Sequence, residues 1–226
     1  SKVESIRAST GVHSITLAQG GVVESEKVLI AVGRLPNTDD LGLEKAGIIS
    51  QNGKIQVNEH LQTSVPSIYA IGDCVAGPQL AHKASYDGIL ACDNIMGIAR
   101  SVDYSNVPNC IWTDPEVASV GLVEEEARAG YPEAKIAKFP YLASGKAYLE
   151  GKNDGFVKII GTPAGDILGV EIFGKGACEL INEAVLAKTK GITIKDWSLI
   201  VHGHPTLSEI MQEAAHVFCG TPIHSI

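Results

Sequence analysis

The sequence contains no apolar run approaching the roughly 18 residues that a membrane-spanning helix needs. Its opening, SKVESIRAST, lacks the apolar segment of a secretory leader. There is no lysine or arginine cluster, and 18 basic against 26 acidic residues leave a net charge of -8, which excludes the basic footprint of a nucleic-acid or anionic-membrane surface. Cysteine is sparse: Cys74, Cys92, Cys110, Cys178 and Cys219 are widely separated, with no CxxC and no paired Cys/His spacing. Neither a disulfide framework nor a zinc site is expected, and the thiols read as reduced, mostly structural groups of an intracellular protein. A Gly-rich GxGxxG turn, an internal repeat and a low-complexity segment are also missing.

What remains is enough for a real core. A chain of 226 residues that is 45% hydrophobic supports one or two domains. The first thirty residues alternate, as in VHSITL, turn at Gln19-Gly20-Gly21 and resume as VVESEKVLIAVG. That pattern predicts an antiparallel hairpin feeding a buried strand. No strand-glycine-helix unit precedes it, so the opening resembles the tail of a domain that begins elsewhere. SIYAIGDC predicts a compact apolar strand ending in Gly72-Asp73, and residues 79 to 97 carry helix-period apolar positions. Such strand-to-helix junctions are where open α/β sheets hold ligands. The stretch IARSVDYSNVPN, weakly periodic and with a proline, is the best candidate for an interdomain linker. Beyond it, CIWT, EVASVG, AKIAKFPYL, GFVKIIG and ILGVEIFG predict strands around one helix, VEEEARAG. Helices near 177–190, 195–201 and 207–218 then follow, a mostly antiparallel α+β arrangement.

Four stretches carry candidate chemistry, each with a plainer structural reading. In HGHPTLSE, residues 202 to 209, Thr206-Leu207-Ser208-Glu209 fits a capping box. Pro205 biases His204 toward an extended conformation, off the helix. Glu209, in the first turn, can then hold that ring in one tautomer, as a general acid or base near neutral pH requires. His202 is assigned packing or a local bond. Asp73 can accept from ligand hydroxyls or simply make a turn. The helix start at Gln79, Leu80, Ala81 and His82 suits a polar ligand atom, although a lone histidine there more often packs. Gly33, ending AVG, permits close backbone approach to a ligand or marks an ordinary strand exit.

The order AVGRLPNT, IYAIGD followed by LAHKA, DPEVASVG and HGHPTLSE resembles the pyridine nucleotide-disulfide oxidoreductases over essentially the whole chain. Within that family HGHPTLSE is most similar to the dihydrolipoamide dehydrogenases. The resemblance implies the C-terminal half of such a protein: the end of an NAD domain at 1–34, a second FAD segment at 35–106, and an antiparallel α+β interface domain at 107–226. The overall class is α/β plus α+β. It implies that Gly33 contacts NAD, that Asp73 meets the FAD ribityl chain, and that Gln79, Leu80, Ala81 and His82 lie alongside the flavin. Family members usually have methionine at the position of Gln79. His204 is the implied acid-base histidine and Glu209 the acid that orients it. The implied partners are a second copy in a homodimer and the lipoyl domains of 2-oxoacid dehydrogenase or glycine-cleavage complexes. The implied compartment is bacterial cytoplasm, mitochondrion or plastid. The chain lacks the family's redox cysteine pair, and Cys74 has no neighbour that would make one, so no turnover is expected of it alone. A glutathione- or mercuric-reductase-like enzyme and a non-catalytic dimerisation module are the alternatives. The HxHPTLSE form speaks against glutathione reductase, and the missing C-terminal cysteine pair against mercuric reductase.

Overall fold

The computed structural model describes residues 1–224. Strands β1 (Val3–Arg7), β2 (His13–Leu17) and β3 (Val22–Ser25) form an antiparallel sheet in that order. The β2–β3 turn lies where the sequence places it, because Gly20 and Gly21 take φ of 84° and 98°, a region that side-chain-bearing residues avoid. The buried strand expected to follow does not form. β3 ends at Ser25, and in VLIAVG both Leu29 and Val32 are 90% exposed. A central strand needs neighbours for its backbone groups and cover for both faces, and the described residues supply neither here.

A two-stranded hairpin, β4 (Ser50–Gln51) and β5 (Lys54–Ile55), precedes the next junction. SIYAIGDC is also not a regular strand. Among the described residues only Tyr69 bridges, to Gln62, and the run closes in a 3-10 turn at Gly72–Cys74. Its neighbour cannot extend the ladder, because Leu61 has a φ of 65°. The helix expected next is present as α1 (Ala81–Ile95). Every strand pairing among the described residues is antiparallel. The α/β character expected of the first 106 residues is therefore not carried by a parallel sheet.

The remaining elements are β6 (Asn109–Ile111), β7 (Val117–Gly121), α2 (Glu124–Gly130), β8 (Lys135–Pro140), α3 (Gly145–Leu149), β9 (Phe156–Gly161), β10 (Ile167–Phe173), α4 (Ala177–Thr189), α5 (Ile194–Ser198) and α6 (Glu209–Cys219). All five predicted strands are present, in one antiparallel sheet of order β6-β7-β10-β9-β8. The alternation decides the faces. Val157, Ile159, Val170 and Ile172 pack against Ile181, Ala184, Trp197, Met211 and Ala214 of the helices, while Ile160 and Leu168 turn to Ala127 of α2. Each fully buried isoleucine there contributes about 1.5–3 kcal/mol.

Gly169 fixes how closely the β7–α2 connection rides on β10, since a Cβ there would stand 2.0 Å from the Leu122 carbonyl oxygen. Gly169→Ala is expected to cost about 3 kcal/mol or more through overpacking against backbone. Denaturant unfolding of the protein checks this, and a midpoint close to wild type would show that the Leu122 segment yields.

Candidate functional site

α6 begins just after HGHPTLSE, and the carboxylate of its first residue turns back toward the preceding loop. Glu209 Oε1 lies 2.8 Å from His204 Nδ1, and Glu209 Oε2 accepts from the Thr206 amide at 2.8 Å. Only half of the expected capping box is made. The Thr206 hydroxyl donates backward to the Gly203 carbonyl at 2.6 Å and meets Ser208 Oγ at 2.8 Å, so it does not cap the Glu209 amide. α6 consequently starts at Glu209 rather than near 207. Glu209 thus holds the loop and the ring at once.

The His204 side chain is 80% exposed and that of Glu209 27%. Among the described residues the other ring nitrogen, Nε2, has no hydrogen-bond partner. Burial pushes the Glu209 carboxyl up. The Thr206 amide, His204 and His224 outweigh it and hold the group below the ordinary carboxylate range, so it is an anion at neutral pH. With a carboxylate on Nδ1, the Nε2 position is free to take and return a proton. His202 is the structural member of the pair, as expected. Its side chain is 6% exposed, Nδ1 meets the Ile200 carbonyl at 2.9 Å, and Nε2 meets Glu183 Oε1 at 2.7 Å. The same Glu183 oxygen accepts from the Trp197 indole N–H.

The second group surrounds Asp73, which is exposed and has a carboxylate with no hydrogen-bond partner among the described residues. Its position is set by the residue before it. The Gly72 amide donates to Asp87 Oδ2 at 3.0 Å, and the Gly72 carbonyl accepts from Lys83 Nζ at 3.1 Å. Lys83 and Asp87 pair at 2.7 Å with both side chains 0% exposed. Tyr104 donates to Asp87 Oδ1 at 2.9 Å and places its ring 4.9 Å from Lys83 Nζ. Burial and the Asp87 charge both raise the Tyr104 phenol, which keeps it a donor. Sequence reasoning missed Lys83, Asp87 and Tyr104. The one available signal was the Lys–Asp spacing of four, which equally describes a solvated helix face.

Gln79 Nε2 reaches the Asp73 carbonyl at 3.5 Å, and Leu80 is the N-cap of α1 with no side-chain cap. The first amide paired within α1 is that of Ala84, to the Leu80 carbonyl, so Ala81 and His82 present free N–H groups at the positive end of a 15-residue helix. The His82 ring turns away, its Nε2 2.8 Å from the Pro108 carbonyl oxygen. Gly33 has a φ of 108° and nothing within 4 Å of a Cβ built on it. The described residues do not bring Gly33, the Asp73 group and the His204–Glu209 pair into contact with one another.

All five cysteines are free: Cys92 and Cys219 are exposed, Cys178 is buried, and Cys74 and Cys110 lie between. Burial and the neighbouring Cys110 thiol push Cys178 up to about 12, which removes it as a nucleophile at neutral pH. No group of three metal-ligating side chains occurs among the described residues, and no helix is long and apolar enough to cross a membrane.

Residues 107–215 match the family model described as pyridine nucleotide-disulphide oxidoreductase, dimerisation domain, and residues 1–88 the one described as pyridine nucleotide-disulphide oxidoreductase. The chain belongs to the pyridine nucleotide-disulphide oxidoreductases. It is 47% identical over 206 residues to a dihydrolipoyl dehydrogenase of Geobacillus stearothermophilus, covering 90% of this chain and 44% of that protein. The corresponding figures for a Thermus scotoductus dihydrolipoyl dehydrogenase are 47% over 221 residues, 95% and 48%. For the mitochondrial enzyme of Sus scrofa they are 46% over 206 residues, 89% and 40%. Among solved structures, the oxidoreductase fold superposes on LpdA of Mycobacterium tuberculosis with a TM-score of 0.88 at 28% identity, over 95% of this chain and 48% of that one. It superposes on a copper(II) complex of the HOCl-induced flavoprotein disulfide reductase RclA of Escherichia coli with a TM-score of 0.87 at 26% identity, over 97% and 50%. The chain thus spans under half the length of these curated relatives.

Proposed function

We propose that this chain is the C-terminal half of an FAD-dependent, NAD-linked dihydrolipoyl dehydrogenase. In this reading residues 1–34 close the NAD domain, 35–106 supply the second FAD segment, and 107–226 form the interface of a homodimer. His204 then faces the redox disulfide of the partner subunit. The macromolecular partners are the lipoyl domains of 2-oxoacid dehydrogenase or glycine-cleavage complexes. The observation that carries the reading is the 2.8 Å contact of the exposed His204 ring, through Nδ1, with the partly buried Glu209 carboxylate.

The residues fit the cofactor. Asp73 offers an acceptor suited to ribityl hydroxyls on a turn held by Lys83 and Asp87, and the amides of Ala81 and His82 offer donors suited to the flavin's polar edge. FAD, when bound, supplies the two-electron relay between the disulfide and NAD. Gly33 is assigned to the NAD side.

His204 has a defined task. A thiol with a pKa near 8.5 is only a few per cent thiolate at pH 7, and the thiolate is the attacking species. His204 Nε2 takes the proton of the dihydrolipoamide thiol, and the resulting imidazolium is stabilised through Nδ1–H by Glu209. Glu209 is already ionised and held by the Thr206 amide, so no reorganisation accompanies the transfer.

The test is dihydrolipoamide oxidation coupled to NAD reduction by the complete enzyme. Glu209→Gln is expected to lower turnover by about 10-fold or more, less than loss of the base itself, with flavin absorbance retained. A lowered melting temperature with unchanged turnover would reduce Glu209 to a helix cap.

A further inference from the structure

α6 carries a second glutamate one turn beyond Glu209. Glu213 is 6% exposed and is held by the segment that follows the helix. His224 Nδ1 lies 2.6 Å from Oε1, and the amides of Ile223 and His224 donate to Oε2 at 3.2 and 3.3 Å. Both imidazole–carboxylate pairs line one cavity of about 290 Å³. Phe139 of β8, Ala143, Ser144 and Gly145 around the start of α3, and Ile210 complete its lining, and none of these carries a charge. His216, on the same helix, is instead engaged with Thr221 Oγ1 at 3.4 Å. The titratable groups facing His204 across the cavity are therefore Glu209, Glu213 and His224, and the Glu209 carboxylate responds to His224 as well as to His204.

We propose that His224 is a positioning residue for the acid–base pair: the Glu213–His224 dyad sets, by its net charge, the pH at which the His204 imidazole gives up its proton. This rests on the reading of His204 as the proton acceptor. With His224 protonated the dyad is neutral, and with His224 deprotonated it carries one negative charge that holds the proton on His204. The Glu213 side chain is 8% exposed, so its charge is screened less than that of an exposed carboxylate. Both carboxylates stand on one helix, which fixes their separation.

Charge compensation in the complete enzyme distinguishes this role from a merely structural one. The primary readout is the pH dependence of His204 carbethoxylation by diethyl pyrocarbonate, followed by peptide mass spectrometry, because only the neutral imidazole reacts and no turnover is required. The second is the acidic limb of kcat/KM for dihydrolipoamide oxidation. His224→Gln leaves Glu213 uncompensated and is expected to raise both midpoints by roughly half a pH unit. Glu213→Gln removes the negative charge of the dyad, so neither midpoint rises. The double variant carries no charge and returns both to the wild-type position. A carbethoxylation midpoint unmoved in His224→Gln, or moved equally in all three variants, overturns the proposal. A midpoint that moves without the kinetic limb supports the dyad's control of His204 and removes His204 from the chemistry, so the two readings fail separately.

Discussion

His204→Gln in the complete enzyme is expected to lower dihydrolipoamide oxidation by about 100- to 10,000-fold, the range of a lost general base. The fold should not notice. The side chain is 80% exposed, and a glutamine amide can still donate to Glu209 Oε1 as the imidazole Nδ1–H does, so the loop keeps its anchor. What disappears is the acceptor at Nε2. The reaction then depends on the small fraction of thiolate already present, and its rate should climb with pH toward the thiol's own pKa. Oxidation of NADH by an artificial one-electron acceptor needs no thiol deprotonation and is expected to be unchanged, as is flavin absorbance. Near-normal dihydrolipoamide turnover in this variant would falsify the acid–base assignment.

The second large effect lies at the other group. Lys83→Met strands the Asp87 carboxylate at 0% exposure with only the Gly72 amide and the Tyr104 hydroxyl to satisfy it. Breaking such a pair from one side costs about 3–5 kcal/mol, because the desolvated charge is left without its partner. The Gly72 carbonyl loses its donor in the same step, and with it the hold on the turn that displays Asp73. Flavin release at a much lower denaturant concentration, read from flavin fluorescence, is the expected result. Replacing both partners, as Lys83→Met with Asp87→Leu, should recover part of the stability, since apolar pairs of similar volume often match buried ion pairs. It should not recover flavin retention, because Gly72 then has neither partner. A single variant as stable as wild type would show that the pair is dispensable.

These two groups were unequally legible in the sequence. The His204–Glu209 pair is local: five residues, a proline and a helix start confine both side chains, and a spacing can express that. The clamp on Gly72 joins residues 72, 83, 87 and 104, and nothing in KASYD tells a buried lysine from a solvated one. The same distinction runs through the fold. The sheet of β6 to β10 was readable because alternation is a local consequence of having one face on each side, and Val157, Ile159, Val170 and Ile172 obey it. VLIAVG carried an equally strong apolar signal and is coil, since an apolar run states a need for neighbours without providing them. SIYAIGDC failed for a related reason: the segment it bridges leaves the extended conformation at Leu61. The Thr206 hydroxyl chose the Gly203 carbonyl over the helix amide, a competition between two nearby bonds that a motif cannot rank.

Glu209 and Glu213 stand four residues apart on α6, each holding an imidazole from outside the helix. Successive residues of an α-helix are rotated by about 100°, so deleting or inserting one residue among Ile210, Met211 and Gln212 would swing one carboxylate away from the other by that angle. The segment can therefore vary in side-chain identity but not in length, and a gap there would be a sharper sign of lost chemistry than any substitution.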